Sequence, residues 1–294
     1  MTAPSDPSSI WPVLVTGASS GIGLETALYL ASRGFVVCAT MRDVTRSAAL
    51  TTEARRRGVT VTIEPLDVTV PGSIEAVVSR LVSRHGGIYG VVCNAGLQVR
   101  GYFEDTSEAE IRQVFEVNVF GTMAVVRAVL PVMRPARRGR IVIITSIGGL
   151  FGAVALSAYC ASKHALEGYG EALSLELSAL GIHVSLVEPA VVQTEIWNGN
   201  RNIARGALDP ASPFRAWFLE EERLADGLVA EASVTVVDVA EATRRALADR
   251  SPRLRYLVGK RVGALLLLRR YLPAAWFERA YFGEVIRRIT GRRI

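Results

Sequence analysis

Apolar positions along the chain fall into two alternating patterns. Short runs at 13–16, 35–41, 59–66, 88–93, 140–146, 183–188 and 254–258 are rich in β-branched residues and lack clean alternation. Strands buried on both faces read this way. Between them lie longer stretches with helical spacing at 21–33, 46–57, 73–84, 108–133, 158–179 and 236–248. Strand–helix alternation of this kind predicts an α/β fold with a parallel, doubly wound seven-stranded sheet and right-handed crossovers. No repeat at a solenoid period and no low-complexity tract interrupts it.

Three segments depart from the pattern. Residues 1–11 are rich in Pro and Ser, with neither a basic nor an apolar leader region, and read as a flexible lead-in rather than a secretory signal. Residues 12–258 then form the main domain. Within it, an insert at 193–235 separates the sixth and seventh strands and carries Trp197, Phe214, Trp217 and Phe218. It follows a strand's carboxyl end, where ligands of such sheets sit. Two readings stand for it: a cover over a site, or a surface helix packing its own aromatics. Residues 259–294 form a basic, amphipathic helical extension.

Charge sharpens that last division. The chain of 294 residues carries a net charge of +6, but from Ser251 onward 11 Lys/Arg face only Glu278 and Glu284. The body is therefore slightly acidic and the tail strongly basic. Cys38, Cys93 and Cys160 are widely spaced with no metal-binding pattern, as in a protein that keeps its thiols reduced. The longest uninterrupted apolar run considered for a membrane span, 262–268, stops at Arg269 and Arg270. A cytoplasmic protein, at most attached to a membrane surface, is expected.

Candidate chemistry gathers at strand ends. After the first strand, Gly17, Ala18, Ser19, Ser20, Gly21, Ile22 and Gly23 lead into a helix. Glycines let backbone approach a diphosphate, and a helix N-terminus offers it free N–H groups. The second strand ends at Thr40, Met41 and Arg42 with no acid at its end. An acid there would hold both ribose hydroxyls of NAD, whereas Arg42 matches a 2′-phosphate. NADP(H) is the expected cofactor; an exposed arginine without a ligand is the alternative. The third strand ends at Asp67 and Val68, the fourth at Asn94, Ala95 and Gly96. Asp67 also fits a helix cap, and Asn94–Gly96 a tight turn.

The fifth strand ends at Ser146, and Tyr159 and Lys163 follow four residues apart. On a helix that spacing puts both on one face. A free phenol has a pKa of about 10, and a neighbouring ammonium favours the phenolate and eases proton transfer. Ser146 is placed to hold a substrate oxygen as charge develops on it. Lys163 is one of only two lysines, beside Lys260, which makes a chance pairing less persuasive.

Gly17/Gly21/Gly23, Asn94-Ala95-Gly96, Asn118, Ser146, Tyr159, Lys163 and the run Pro189–Thr194 together resemble the short-chain dehydrogenase/reductase family, over about residues 13–258. The resemblance implies a Rossmann-type sheet and a Ser146–Tyr159–Lys163 catalytic set that moves a proton while hydride passes between nicotinamide and substrate carbon. It implies that Lys163 also holds the nicotinamide ribose and that Asn118 supports a water-linked proton path. It brings Pro189, Val192 and Thr194 to the cofactor. Thr40-Met41-Arg42, Val92–Leu97, Tyr159–Lys163 and Leu254-Arg255-Tyr256 look most like the 17β-hydroxysteroid and retinol dehydrogenase branch, which implies a bulky apolar substrate. Cys93 and Ala190 depart from the family's usual residues at two turns. His164 points to another side of the helix than Lys163 and is read as structural, like His85 and His183.

The loop after the fifth strand, with Gly148, Leu150 and Phe151, is apolar and uncharged. Together with Leu97, Val99 and Trp197 it suits a steroid-, retinoid- or lipid-like ketone. Three roles are open to the tail: closing the substrate site, forming a subunit interface, or lying on an anionic membrane. The resemblance implies a homo-oligomer, a dimer or tetramer paired through the helices at 108–133 and 158–179. No nucleic-acid-binding module is present, and no metal site is expected.

Overall fold

The computed structural model describes residues 11–194 and 201–291. In chain order it contains β1 (Val13–Val15), α1 (Gly21–Ser32), β2 (Val37–Met41), α2 (Ala48–Arg57), β3 (Thr62–Pro65), α3 (Pro71–His85), β4 (Gly90–Cys93), α4 (Glu108–Phe115), α5 (Gly121–Ala136), β5 (Gly139–Ile144), α6 (Ser157–Ser178), β6 (Ile182–Pro189), α7 (Arg215–Ala230), α8 (Val236–Ala248), β7 (Arg255–Val258), α9 (Lys260–Tyr271) and α10 (Ala274–Thr290). The seven strands form one sheet in the order β3-β2-β1-β4-β5-β6-β7, every pair parallel. The chain therefore reverses its direction across the sheet between β1 and β4. That reversal opens a crevice at the strands' carboxyl ends.

Both sheet faces are covered. One apolar layer joins Leu14, Cys38, Val91 and Ile141 to helix residues such as Val77, Val129 and Leu173. The other joins Val13, Val15, Val142 and Val187 to Leu28, Leu30 and Leu247. Successive strand side chains point to opposite faces, so both must be apolar when both faces are buried. This accounts for the continuous rather than alternating runs.

Several strands are shorter than the apolar runs, for a local reason. Phe35 N donates to Leu30 O and Val59 N to Ala54 O, so the starts of two runs belong to helix exits. The helix expected across 108–133 is divided. A π-helical turn, Glu116–Phe120, separates α4 from α5, and such turns often mark functional positions. By length and composition the whole helical run Glu108–Ala136 could cross a membrane, which reading only unbroken apolar runs overlooks. In this fold its Val114, Val125, Val129 and Met133 are buried in the core.

A third apolar cluster lies beside the sheet. Phe218 of α7, fully buried, meets Val99, Val114, Ala155, Ala158, Ala204 and Ala207. Beyond it α10 packs on α7, and Phe277 and Tyr281 of α10 each stand 6.2 Å from Phe151 in the loop after β5. The tail is thus folded back onto the body. Cys38, Cys93 and Cys160 are free and buried.

Candidate active site

The crevice at the β1/β4 reversal is made largely of backbone. Thr16 Oγ1 accepts from Asn94 N at 3.0 Å and Ala95 N at 3.1 Å. The Asn94 side chain returns the tie, its Nδ2 donating to Thr16 O and Gly17 O, each at 3.0 Å. Gly17 has φ +69°, and a Cβ there would lie 2.8 Å from Ala95 Cα. A Cβ at Gly23 would collide with Gly17 O and the Asn94 amide. Both glycines are therefore required by close backbone approach. Gly21, at φ +55°, faces Thr194, whose Cβ would lie 3.4 Å from a methyl there. The run after β6 thus reaches the glycine turn.

The turn delivers the start of α1 into the crevice. Ser20 is its N-cap, but its side chain makes no capping bond, and the first turn carries no acid. An uncapped helix start leaves N–H groups and the positive dipole end directed outward. That arrangement fits a nucleotide diphosphate. Ser19 and Ile22 flank it, both half-buried.

The other expected cofactor residues line up less evenly. Arg42 is exposed at the end of β2, followed by Asp43, which caps the next turn by accepting from Thr45 N at 3.0 Å. The Thr40 hydroxyl is engaged inside the sheet, donating to Val15 O at 3.1 Å, and its carbonyl receives Ala18 N. Asp67 forms a local turn, accepting from Thr69 N at 2.9 Å and Thr69 Oγ1 at 2.7 Å, and caps no helix, since the N-cap of α3 is Val70. Val68 is buried against Gly121, where a Cβ would come within 2.7 Å of Val68 Cγ2. Gly96 faces Asn118 Oδ1. Pro189 ends β6, and Val192 pairs with Val234 across the base of the insert.

At the end of β5 the catalytic candidates converge. Ser146 starts a short 3-10 turn, and its Oγ accepts from Gly148 N at 3.0 Å. The Ser146 hydroxyl stands near the Tyr159 phenol and pulls its pKa downward. Gly148 lies so close that a Cβ there would be 3.2 Å from Tyr159 Cε1. Lys163, one helical turn on, is buried; its Nζ donates to Ile144 O at 2.8 Å and stands 5.7 Å from the centre of the Tyr159 ring. Asn118, in the π turn, holds Leu97 on both backbone groups: Leu97 N donates to its Oδ1 at 2.8 Å, and its Nδ2 donates to Leu97 O at 2.9 Å. The same Nδ2 lies 3.0 Å from Ser162 Oγ, which donates to Tyr159 O. The extra residue in that turn thus aims Asn118 between β4 and α6.

Burial acts on both titrating groups. It pushes the Tyr159 phenol up to about 12, and only the Ser146 hydroxyl opposes it. Burial also brings the Lys163 ammonium down to about 8, with Glu167 pulling it back up. Desolvation sets the direction of the phenol's shift. A neutral phenol is the form that donates a proton to a developing alkoxide.

On the expected substrate side, Gly148 sits beside this set, and Arg269 of α9 donates to Leu150 O. Phe151, expected to line the pocket, is buried as the docking point of the tail, with the Arg269 guanidinium 5.0 Å from its ring centre. Trp197 lies outside the described residues. His164 Nδ1 is 2.9 Å from Cys160 O, away from the phenol. Sequence reasoning passed over Thr16, Ser162 and Glu167. It also missed Arg100, fully buried between Glu221 and Glu222. Its visible signal was slight: one charge between Asn94 and Phe103, followed by a glycine.

Known proteins resemble this chain in sequence and in fold. The family model for short chain dehydrogenase matches residues 12–203. Human 17-beta-hydroxysteroid dehydrogenase type 1 is 35% identical over 286 residues, spanning 93% of this chain and 86% of that protein. A short chain dehydrogenase/reductase from Burkholderia phymatum, solved in complex with NAD, superposes with a TM-score of 0.77 at 29% identity over 88% of this chain and 92% of that one. A single-residue variant of actinorhodin polyketide ketoreductase, solved with NADPH, gives 0.73 at 31% identity over 86% and 96%. The chain belongs to the short-chain dehydrogenase/reductase family, in its steroid and retinol branch, and is an oxidoreductase of alcohol and ketone groups that uses a nicotinamide cofactor.

Proposed function

We propose that this enzyme uses NADP(H) to interconvert an apolar secondary alcohol and its ketone, steroid-, retinoid- or lipid-like in bulk, in the cytoplasm. The observation that carries this reading is the meeting of Ser146, Tyr159 and Lys163 at the end of β5, with Ser146 and Tyr159 both against Gly148 and Lys163 Nζ 5.7 Å from the Tyr159 ring centre. The cofactor, when bound, supplies a hydride to the carbonyl carbon or takes one from the carbinol. The rest falls to the chain. Tyr159 donates its phenolic proton to the carbonyl oxygen as negative charge grows there. Ser146 shares that oxygen, holding the substrate in line with the phenol. Lys163, fixed by Ile144 O, lends positive charge near the phenolate that remains and binds ribose hydroxyls. Asn118 fixes the β4 end and carries the proton route from Lys163 toward solvent.

Support for NADP(H) comes from Arg42, exposed at the end of β2 where no acid stands. The uncapped start of α1 with Gly17, Ser19, Ser20, Gly21, Ile22 and Gly23 would hold the diphosphate, Asp67 and Val68 the adenine side, and Asn94–Gly96, Pro189, Val192 and Thr194 the nicotinamide side. Thr40 fixes the end of β2 against the glycine turn, its carbonyl accepting from Ala18 N. The apolar loop with Gly148 and Leu150, the Phe218 cluster and a relative named for a hydroxysteroid support the bulky apolar ketone. A groove between α5 and α6, lined by Met123, Val126, Leu130, Tyr169 and Leu173, supports pairing of two copies there. Size-exclusion with light scattering that finds only monomer would remove that pairing. Exposed Leu267, Leu268, Tyr271 and Trp276 on a basic tail support contact with anionic lipid, which sedimentation with anionic vesicles would detect.

Nicotinamide fluorescence titration tests the cofactor. NADPH should bind more tightly than NADH, and Arg42→Ala should weaken NADPH alone by about tenfold, the worth of one charge-assisted contact. Equal binding of both cofactors to the unaltered enzyme would make Arg42 a bystander.

A further inference from the structure

The described part of the insert is held to the body by a buried group of charges that the catalytic set does not use. Arg100, in the loop after β4, is fully buried. Its Nε donates to Glu222 Oε1, and its Nη2 donates to Glu221 Oε1 and Oε2 at 3.0 and 2.8 Å. Both glutamates belong to α7 of the insert. Glu222 Oε2 is also 3.1 Å from Arg201, which pairs in turn with Asp226. Two guanidinium groups thus meet two largely buried carboxylates and, at the edge, the exposed Asp226.

The backbone around Arg100 joins three segments. Arg100 N donates to Asn202 O at 2.9 Å and Ala204 N donates to Arg100 O at 2.8 Å, a short parallel bridge to the insert. Next door, Gly101 N donates to Ala155 O at 2.9 Å. A Cβ on Gly101 would lie 2.7 Å from Ala204 Cβ, so the two strands of chain are in close contact. Ala155 is left-handed, with φ 57°, a conformation a non-glycine residue adopts only when its surroundings impose it. It lies two residues before α6, the helix of Tyr159 and Lys163. Three residues before Arg100, Leu97 is held by Asn118. One side chain therefore stands where the insert, the start of the catalytic helix and the Asn118 loop meet, against the Phe218 cluster.

We propose that Arg100 is a positioning residue: its clasp on Glu221 and Glu222 fixes the insert in one register over the substrate side of the site and so sets selectivity for bulky ketones. A buried charge group suits this task. An apolar contact tolerates sliding, whereas a guanidinium fork has one geometry that satisfies both carboxylates. Fixing register is the best-attested use of such groups. The proposal rests on the ketone-reductase reading for its kinetic consequence, but not for its structural one.

Hydrogen exchange and kinetics on the full chain with NADPH bound test it together. In Arg100→Met, which keeps the volume and removes the charge, amides of α7 and residues 201–207 should exchange about tenfold faster or more, while those of β4 and β5 keep their rates. KM for a bulky steroid ketone should rise about tenfold with cofactor affinity unchanged, and KM for a small ketone such as cyclohexanone should move little. Arg100→Lys keeps the charge but lacks the fork and should fall between the two. If Arg100→Met does not fold, Glu222→Gln, which keeps shape and an acceptor, should show the same pattern at about threefold. Unchanged α7 exchange would overturn the proposal, as would faster exchange throughout the sheet or equal losses for both ketones. If the unaltered enzyme reduces no ketone, the function reading fails, and the exchange result still decides the clasp.

Discussion

The two sides of the candidate active-site crevice are built from different materials. On the cofactor side the contacts are backbone and short polar side chains: Thr16, Asn94 and Ala95 tie β1 to β4, and Gly17 and Gly23 leave room for close approach. On the substrate side the contacts are long side chains from distant segments: Arg100 with Glu221 and Glu222, Tyr102 stacked on Phe214 at 4.9 Å, and Phe151 against Phe277. A backbone-made site recognises what every nucleotide cofactor shares. A side-chain-made cover can change with substrate while the chemistry beneath stays the same.

The largest expected effect on binding breaks the cofactor side alone. Gly17→Ala places a methyl against Ala95 in a left-handed backbone, and NADPH affinity should fall on the order of a hundredfold, equivalent to about 3 kcal/mol. Fluorescence titration measures it, and a loss below about threefold would show that the turn adapts. The next effect comes from pH and acts between the two sides. Lys163 is brought down to about 8 by burial, so its ammonium is present below that pH and lost above it. Tyr159, pushed up to about 12, stays a proton donor throughout. Reductive kcat/KM should therefore be level at neutral pH and fall about tenfold per unit well above pH 8. Lys163→Arg, always charged, should abolish the fall even if its level is lower. The smallest effect sharpens the substrate side. Phe277→Ala removes the ring that packs on Phe151, and KM for a bulky ketone should rise about threefold with cofactor affinity intact. A change in cofactor affinity would mean that the two sides are not separable.

What was legible in the sequence follows the same division. Glycine spacing, the asparagine turn and the Tyr159–Lys163 pair are local, and locality makes them readable. The seven parallel strands followed from apolar runs and crossovers. The π turn at Asn118 was not readable, because it depends on Leu97 and Ser162, distant in sequence. Nor was the high phenol pKa, because burial depends on the whole fold. Phe151 looked like a pocket residue until the tail, more than a hundred residues on, was seen packed against it. Arg100 needed partners from α7 before its burial made sense.

The central claim is that Tyr159 moves the proton. Single-turnover oxidation of NADPH by an apolar ketone, comparing the unaltered enzyme with Tyr159→Phe, tests it directly. The phenylalanine variant should bind NADPH with unchanged affinity and lose a factor of about 10³ or more in the reductive step, within the range of a lost general acid. Reduction at a rate within a few-fold of the unaltered enzyme would contradict the account and assign the proton to another group.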